Sequence, residues 1–134
     1  MNTKDSGYIR PEYPHSAQTA GIIKAAYAVH NVLGPGFREV IYQRALEHEL
    51  KLQGLACVRE VALEVEYKGI CVGQKRVDLV VGDVLVELKA VSDIEPVYLF
   101  QLLSYLKVSK QELGLLLNFG GKSLQVRRVV NQKR

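Results

Sequence analysis

The spacing of hydrophobic residues switches between helical and strand-like three times along this chain. From Ser16 to Leu33, Ile22, Ala26, Val29 and Leu33 recur at helical spacing, and Gly34-Pro35-Gly36 then stops the helix. A second helix is expected from about Phe37 to Gln53, with Phe37, Ile41, Ala45 and Leu52 on one stripe and Gly54 as its stop. The period then falls to two. Val61, Leu63, Val65 and Tyr67 alternate with Ala62, Glu64 and Glu66, which predicts strands near 57–67 and 70–81 joined at Lys68-Gly69. Gly73 is a candidate bulge. A third strand is expected over 84–90, after Gly82-Asp83. Pro96 suits the first turn of a helix over about 96–108, with Leu99, Leu102, Leu103 and Leu106 as its core stripe. The run Leu113 to Phe119 is almost wholly apolar, as in a strand buried on both faces, and Gln125 to Val130 suits a last edge strand. The order α-α-β-β-β-α-β-β predicts an α/β fold, a mixed sheet with helices packed on it.

Length and composition narrow this reading. A chain of 134 residues fits one domain, expected over 16–134, with 1–15 as a polar arm containing Pro11 and Pro14. The 48% hydrophobic content excludes a disordered chain. No apolar stretch approaches the ~20 residues that span a bilayer, and no signal peptide opens the chain, so a cytoplasmic location is the default expectation. Cys57 and Cys71 form no disulfide framework or CxxC site, and both are expected as buried free thiols. The net charge is +4, with Lys122, Arg127, Arg128, Lys133 and Arg134 crowding one end, which suits a polyanionic partner.

The chemistry concentrates in the segment Lys75–Val91. Gly82-Asp83 between Val-rich runs signals a two-residue hairpin in which Val81 faces Val84. Asp78 then lies opposite Glu87, on a closely spaced pair with Cα atoms about 4.5 Å apart. Lys89 shares the face of Glu87. Two carboxylates so placed repel by about 1 kcal/mol in water and by more near protein. A divalent cation such as Mg²⁺ or Mn²⁺ removes that repulsion; a solvated face neutralised by Lys89 is the plainer alternative. Glu39 falls in the first turn of the second helix, where the helix dipole favours an acid, and shares a stripe with Tyr42 and Leu46 at the edge of the predicted buried face. Gln101 and Tyr105 stand one turn apart on the helix after the third strand, with Tyr98 on the same stripe. His30 is expected to be structural. No phosphate-binding loop, zinc spacing or nucleophile elbow is present in the sequence.

Together these residues resemble the PD-(D/E)XK nuclease superfamily, whose signature is an Asp, a short gap and Glu-x-Lys on the next strand. Asp78 and Glu87-Leu88-Lys89 match it; Val77 stands where the name has Pro. The stretch Gly36-Phe37-Arg38-Glu39-Val40-Ile41-Tyr42 is similar to the motif of the GxxExxY branch, as are the stretches LGPG, ELK, QLLSYL and GLLLNFG. The resemblance covers roughly residues 17–130. It implies a restriction-endonuclease-like α-β-β-β-α-β core and Mg²⁺-dependent phosphodiester hydrolysis, with Mn²⁺ as a substitute. Asp78, Glu87, Glu39 and the Leu88 carbonyl would be the metal ligands, and Lys89, Gln101 and Tyr105 the catalytic groups. Nucleic acid is the implied partner, DNA ahead of RNA, with a homodimer or second protein to supply specificity. A regulatory or nucleic-acid-binding module that keeps the fold without cleaving is the alternative.

Overall fold

The computed structural model describes residues 16–132; the expected arm at 1–15 lies outside them. Helix α1 spans Ser16–Leu33 and α2 spans Glu39–Leu52. Strands β1 (Val58–Tyr67), β2 (Ile70–Val81) and β3 (Val84–Lys89) follow as a meander, then α3 (Pro96–Ser109), β4 (Leu113–Asn118) and β5 (Gln125–Val130). The five strands lie in chain order, antiparallel except for the parallel pair β3/β4. Parallel neighbours need a crossover, which α3 supplies.

Each face of the sheet has its own core. Ile22, Ala26 and Val29 of α1 and Tyr42, Leu46 and Leu50 of α2 pack on Leu79, Val81, Val84, Val86, Leu115 and Leu117. Leu102 and Leu106 of α3 pack on Val77, Leu85 and Leu116 across the sheet. Strand β4 is buried on both faces, as its unbroken apolar run requires, and each of its leucines is fully buried. Each such side chain contributes roughly 1.5–3 kcal/mol.

Two expectations need correction. The buried stripe of α2 is Tyr42, Gln43, Leu46 and Leu50, not Phe37, Ile41, Ala45 and Leu52; Phe37, Ile41 and Leu52 are exposed and Ala45 is half-buried. The helix is turned because Tyr42 stacks on Phe119, with ring centroids 4.7 Å apart, and outweighs the smaller aliphatics. Cys71 is exposed and Cys57 only half-buried. Beyond Val77, β2 has only β1 beside it, so the outer hairpin is a two-stranded ribbon with little to bury a thiol. The bulge expected at Gly73 is present, with Val72 as its unpaired residue: Val65 faces Gly73 while Glu66 faces Cys71.

Both β1 and β2 change the face they present part-way along. Val77 packs in the α3 core, yet Leu79 and Val81, of the same parity, pack in the α1/α2 core. Just before β1, Cys57 contacts the α1/α2 core, whereas Leu63 on β1 contacts the α3 core. The switch falls at Asp78 on β2 and at Glu60 on β1, and Glu60 takes a left-handed φ of 57°. A bulky residue there stores backbone strain, a feature that recurs beside functional sites.

Candidate active site

The β2/β3 ladder runs through Val81/Val84, Val80/Leu85 and Leu79/Val86, the register set by the Gly82-Asp83 turn. It stops at the next position, where Asp78 and Glu87 stand. There the two carboxylates replace ladder bonds. The Asp78 N–H donates to Glu87 Oε1 at 3.0 Å, and the Leu88 N–H donates to Asp78 Oδ2 at 2.8 Å. Each acid is thus pinned by the other strand's backbone, and the strands separate around a pair of half-buried carboxylates.

The pair is electrostatically unfavourable when both groups are ionised. Burial, and then the charge of Asp78, push the Glu87 carboxyl up to about 8. Burial also raises Asp78, and the Leu88 N–H offsets this in part. Glu39 is exposed at the start of α2, yet its charge adds to the upward shifts of Asp78, Glu87 and Tyr98. It therefore overlooks the same mouth, on the stripe of Tyr42 and Leu46. Among the described residues, however, no three acidic, His or Cys side chains converge into a ready metal cage. The donor set that does converge is two hard carboxylates, both pushed up first by burial, whose ionised forms a divalent cation would favour.

Lys89 leaves the same end of β3 and lays its ammonium over the Tyr98 ring, 4.5 Å from the centroid. Tyr105, one helical turn beyond Gln101, is half-buried. Its phenol is raised by burial and then by Glu87 and Asp78, so it stays a proton donor at neutral pH. Gln101 is exposed on the stripe that joins Tyr98 to Tyr105. The Leu88 side chain lies in the core, so that residue meets the site only through its backbone.

Two clamps hold the elements that carry these groups. Tyr42 donates its hydroxyl to the Gly34 carbonyl at 2.6 Å and accepts the Phe37 N–H at 3.1 Å, fixing the turn that delivers Glu39 to the helix start. Asn118, buried beside Lys89 in the parallel ladder, accepts the Val91 N–H at 3.0 Å and donates to the Val91 carbonyl at 2.9 Å. Gly120 lies so close to that carbonyl that no Cβ fits. His30 is structural: its Nε2 lies 3.0 Å from the Gly121 carbonyl, an acceptor only, so that nitrogen carries the proton.

Gln43 and Arg59 escaped the sequence reading. Gln43 is buried and donates to both the backbone carbonyl and Oδ1 of Asp78, each at 3.3 Å. The one available signal was its place next to Tyr42, once the buried stripe of α2 is correctly set.

Comparison with known proteins agrees with this geometry. A family model described as the PD-(D/E)XK nuclease superfamily matches residues 16–129. The chain belongs to the PD-(D/E)XK nuclease superfamily. Its mixed five-stranded sheet with helices on both faces is the restriction-endonuclease-like core of that superfamily. The crystal structure of SSO0001 is similar in fold, with a TM-score of 0.56 at 19% identity over 98% of this chain. This chain spans 63% of that one. No curated protein matches. Membership in the superfamily brings nuclease-type chemistry with divalent metals and nucleic acid as the general expectation. No helix among the described residues is long and apolar enough to cross a membrane.

Proposed function

We propose that this protein is a Mg²⁺-dependent nuclease of the GxxExxY branch, cleaving phosphodiester bonds in nucleic acid, DNA ahead of RNA. The observation that carries the reading is the half-buried Asp78–Glu87 pair at the parting of β2 and β3, with Lys89 beside it. Asp78, Glu87 and the Leu88 carbonyl would hold the cation, and Glu39 would join through a side-chain swing from the mouth. When bound, the cation supplies Lewis-acid polarisation of the scissile phosphate and offsets the acids' charge. Lys89 would leave Tyr98 and, as the ammonium, stabilise the charge gathering on the phosphoryl oxygens, or, once Nζ has given its proton to solvent, take one from the attacking water. Tyr105, held protonated, donates a hydrogen bond toward the same centre, and Gln101 positions the strand being cut. Exposed Lys122 and Arg127 suit phosphate contacts. A cytoplasmic location and a homodimer or protein partner complete the reading.

The test incubates the purified protein with single-stranded, duplex and branched substrates in Mn²⁺ or Mg²⁺. Metal-dependent cleavage by wild type is expected, falling about 10²-fold or more in Lys89→Ala while Mn²⁺ affinity holds. Equal single-turnover rates for the two proteins would remove Lys89 from the mechanism. Absence of cleavage on every substrate would favour the binding-module alternative.

A further inference from the structure

Behind the acidic pair lies a chain of polar side chains that the proposed chemistry does not use. Gln43 is 4% exposed, and its amide nitrogen donates to Asp78 at both the carbonyl and Oδ1. Its amide oxygen accepts from Arg59 Nη1 at 3.1 Å. Arg59 in turn donates through Nε to Glu47 Oε1 at 3.1 Å, one turn further along α2. A primary amide has a donor end and an acceptor end. Because Arg59 has only donors, it fixes which end of Gln43 faces Asp78. Arg59 reaches α2 only because β1 still presents this face before the switch at left-handed Glu60, beyond which Leu63 turns to the α3 core.

We infer that Gln43, held by Arg59 and Glu47, is a positioning residue that orients the Asp78 carboxylate for cation binding. The inference rests on the divalent-cation reading above. A neutral donor suits the task. It fixes Oδ1, as the Leu88 N–H fixes Oδ2, and each oxygen keeps a lone pair for the metal. A lysine at that position would compete with the cation for the same oxygen. The charge of Arg59 is set one residue further back and is balanced by Glu47. Second-layer hydrogen bonds of this kind are worth about 10–100-fold in metal affinity.

Charge and positioning predict opposite signs for Arg59, and this supplies the test. Removing a nearby cation should tighten Mn²⁺ binding through Coulomb repulsion relieved; releasing Gln43 should weaken it. Mn²⁺ is titrated calorimetrically into wild type, Gln43→Met, Arg59→Met and the double variant, with thermal unfolding of each metal-free protein in parallel. The expected result is about tenfold weaker binding in Gln43→Met and several-fold weaker binding in Arg59→Met. The double variant should lie within about twofold of Gln43→Met, since both act through one amide. If Gln43→Met does not fold, the sign in Arg59→Met decides alone, because Arg59 is half-buried on β1. Wild-type binding with unchanged or tighter Arg59→Met overturns the positioning role and leaves the cation site standing. No Mn²⁺ binding by wild type overturns both.

Discussion

At the scale of single residues, burial first and neighbouring acidic charge second disfavour the ionised forms of Asp78 and Glu87. The upward shift of Glu87 makes a sign-definite prediction. In the metal-free protein its carboxyl titrates near 8, against an ordinary 4.5, so the folded state keeps a proton that the unfolded chain has lost. Stability should therefore fall as pH rises from about 4.5 toward 8, by on the order of a few kcal/mol, with Asp78 adding in the same direction. Urea midpoints at pH 5.5 and pH 8 in chelator check this. In Asp78→Asn the slope should shrink, leaving that variant about 1 kcal/mol more stable than wild type at pH 8. At pH 5.5 it should gain nothing, because the amide is a poorer partner for Leu88 and Gln43. A stability that rises with pH in the metal-free wild type would contradict the buried-pair account. These two acids and Lys89 were legible in the sequence because a two-residue turn fixes register without any knowledge of the rest of the fold. Gln43 was not, because a glutamine among apolar helix positions reads as a polar edge until its partners on β1 and β2 are known.

Among elements, α2 shows where periodicity misleads. Its stripe of Phe37, Ile41 and Leu52 is the more obviously apolar one, yet those residues are exposed, and the face with Tyr42 and Gln43 is buried. Two tertiary contacts override the pattern: the Tyr42 stack on Phe119, and the bonds of its hydroxyl to Gly34 and Phe37. The corrected stripe makes the line of Tyr42 and Leu46, which the sequence alone puts at the edge, the buried face, with Glu39 at its exposed start. It also accounts for Tyr42 as a clamp on the turn before Glu39. Tyr42→Phe keeps the stack and loses both hydrogen bonds. It should cost about 1–3 kcal/mol in urea unfolding, the range for a buried group left unpaired, and speed hydrogen exchange at the Phe37 amide. Unchanged exchange there would mean that the turn holds itself. The face switch at Glu60 and Asp78 was equally hidden, since alternation is written continuously through both strands while the backbone is not.

Across the whole molecule, the element order and a mixed sheet with a doubly buried fourth strand follow from patterns that extend over many residues, and these were readable; the strand order and the parallel β3/β4 pair came from the structure. Strand β4 is apolar throughout because both faces are covered, and α3 must cross over to bring it beside β3. What the pattern could not supply is how far the β1–β2 ribbon projects beyond the sheet, which leaves Tyr67, Ile70 and Val72 exposed despite their strand-like run. The architecture sets the acids where β2 and β3 part, with Glu39 exposed at the start of α2 in one layer and Tyr98, under the Lys89 ammonium, and Tyr105 on α3 in the other. The claim on which the rest depends is that this parting is a divalent-cation site. Its most direct measurement is calorimetric titration of Mn²⁺ into wild type, Asp78→Asn and Glu87→Gln at pH 8. Saturable binding by wild type, weakened by at least about 10²-fold in either variant while both remain folded, is the predicted result; Mn²⁺ affinity unchanged by Asp78→Asn would contradict it.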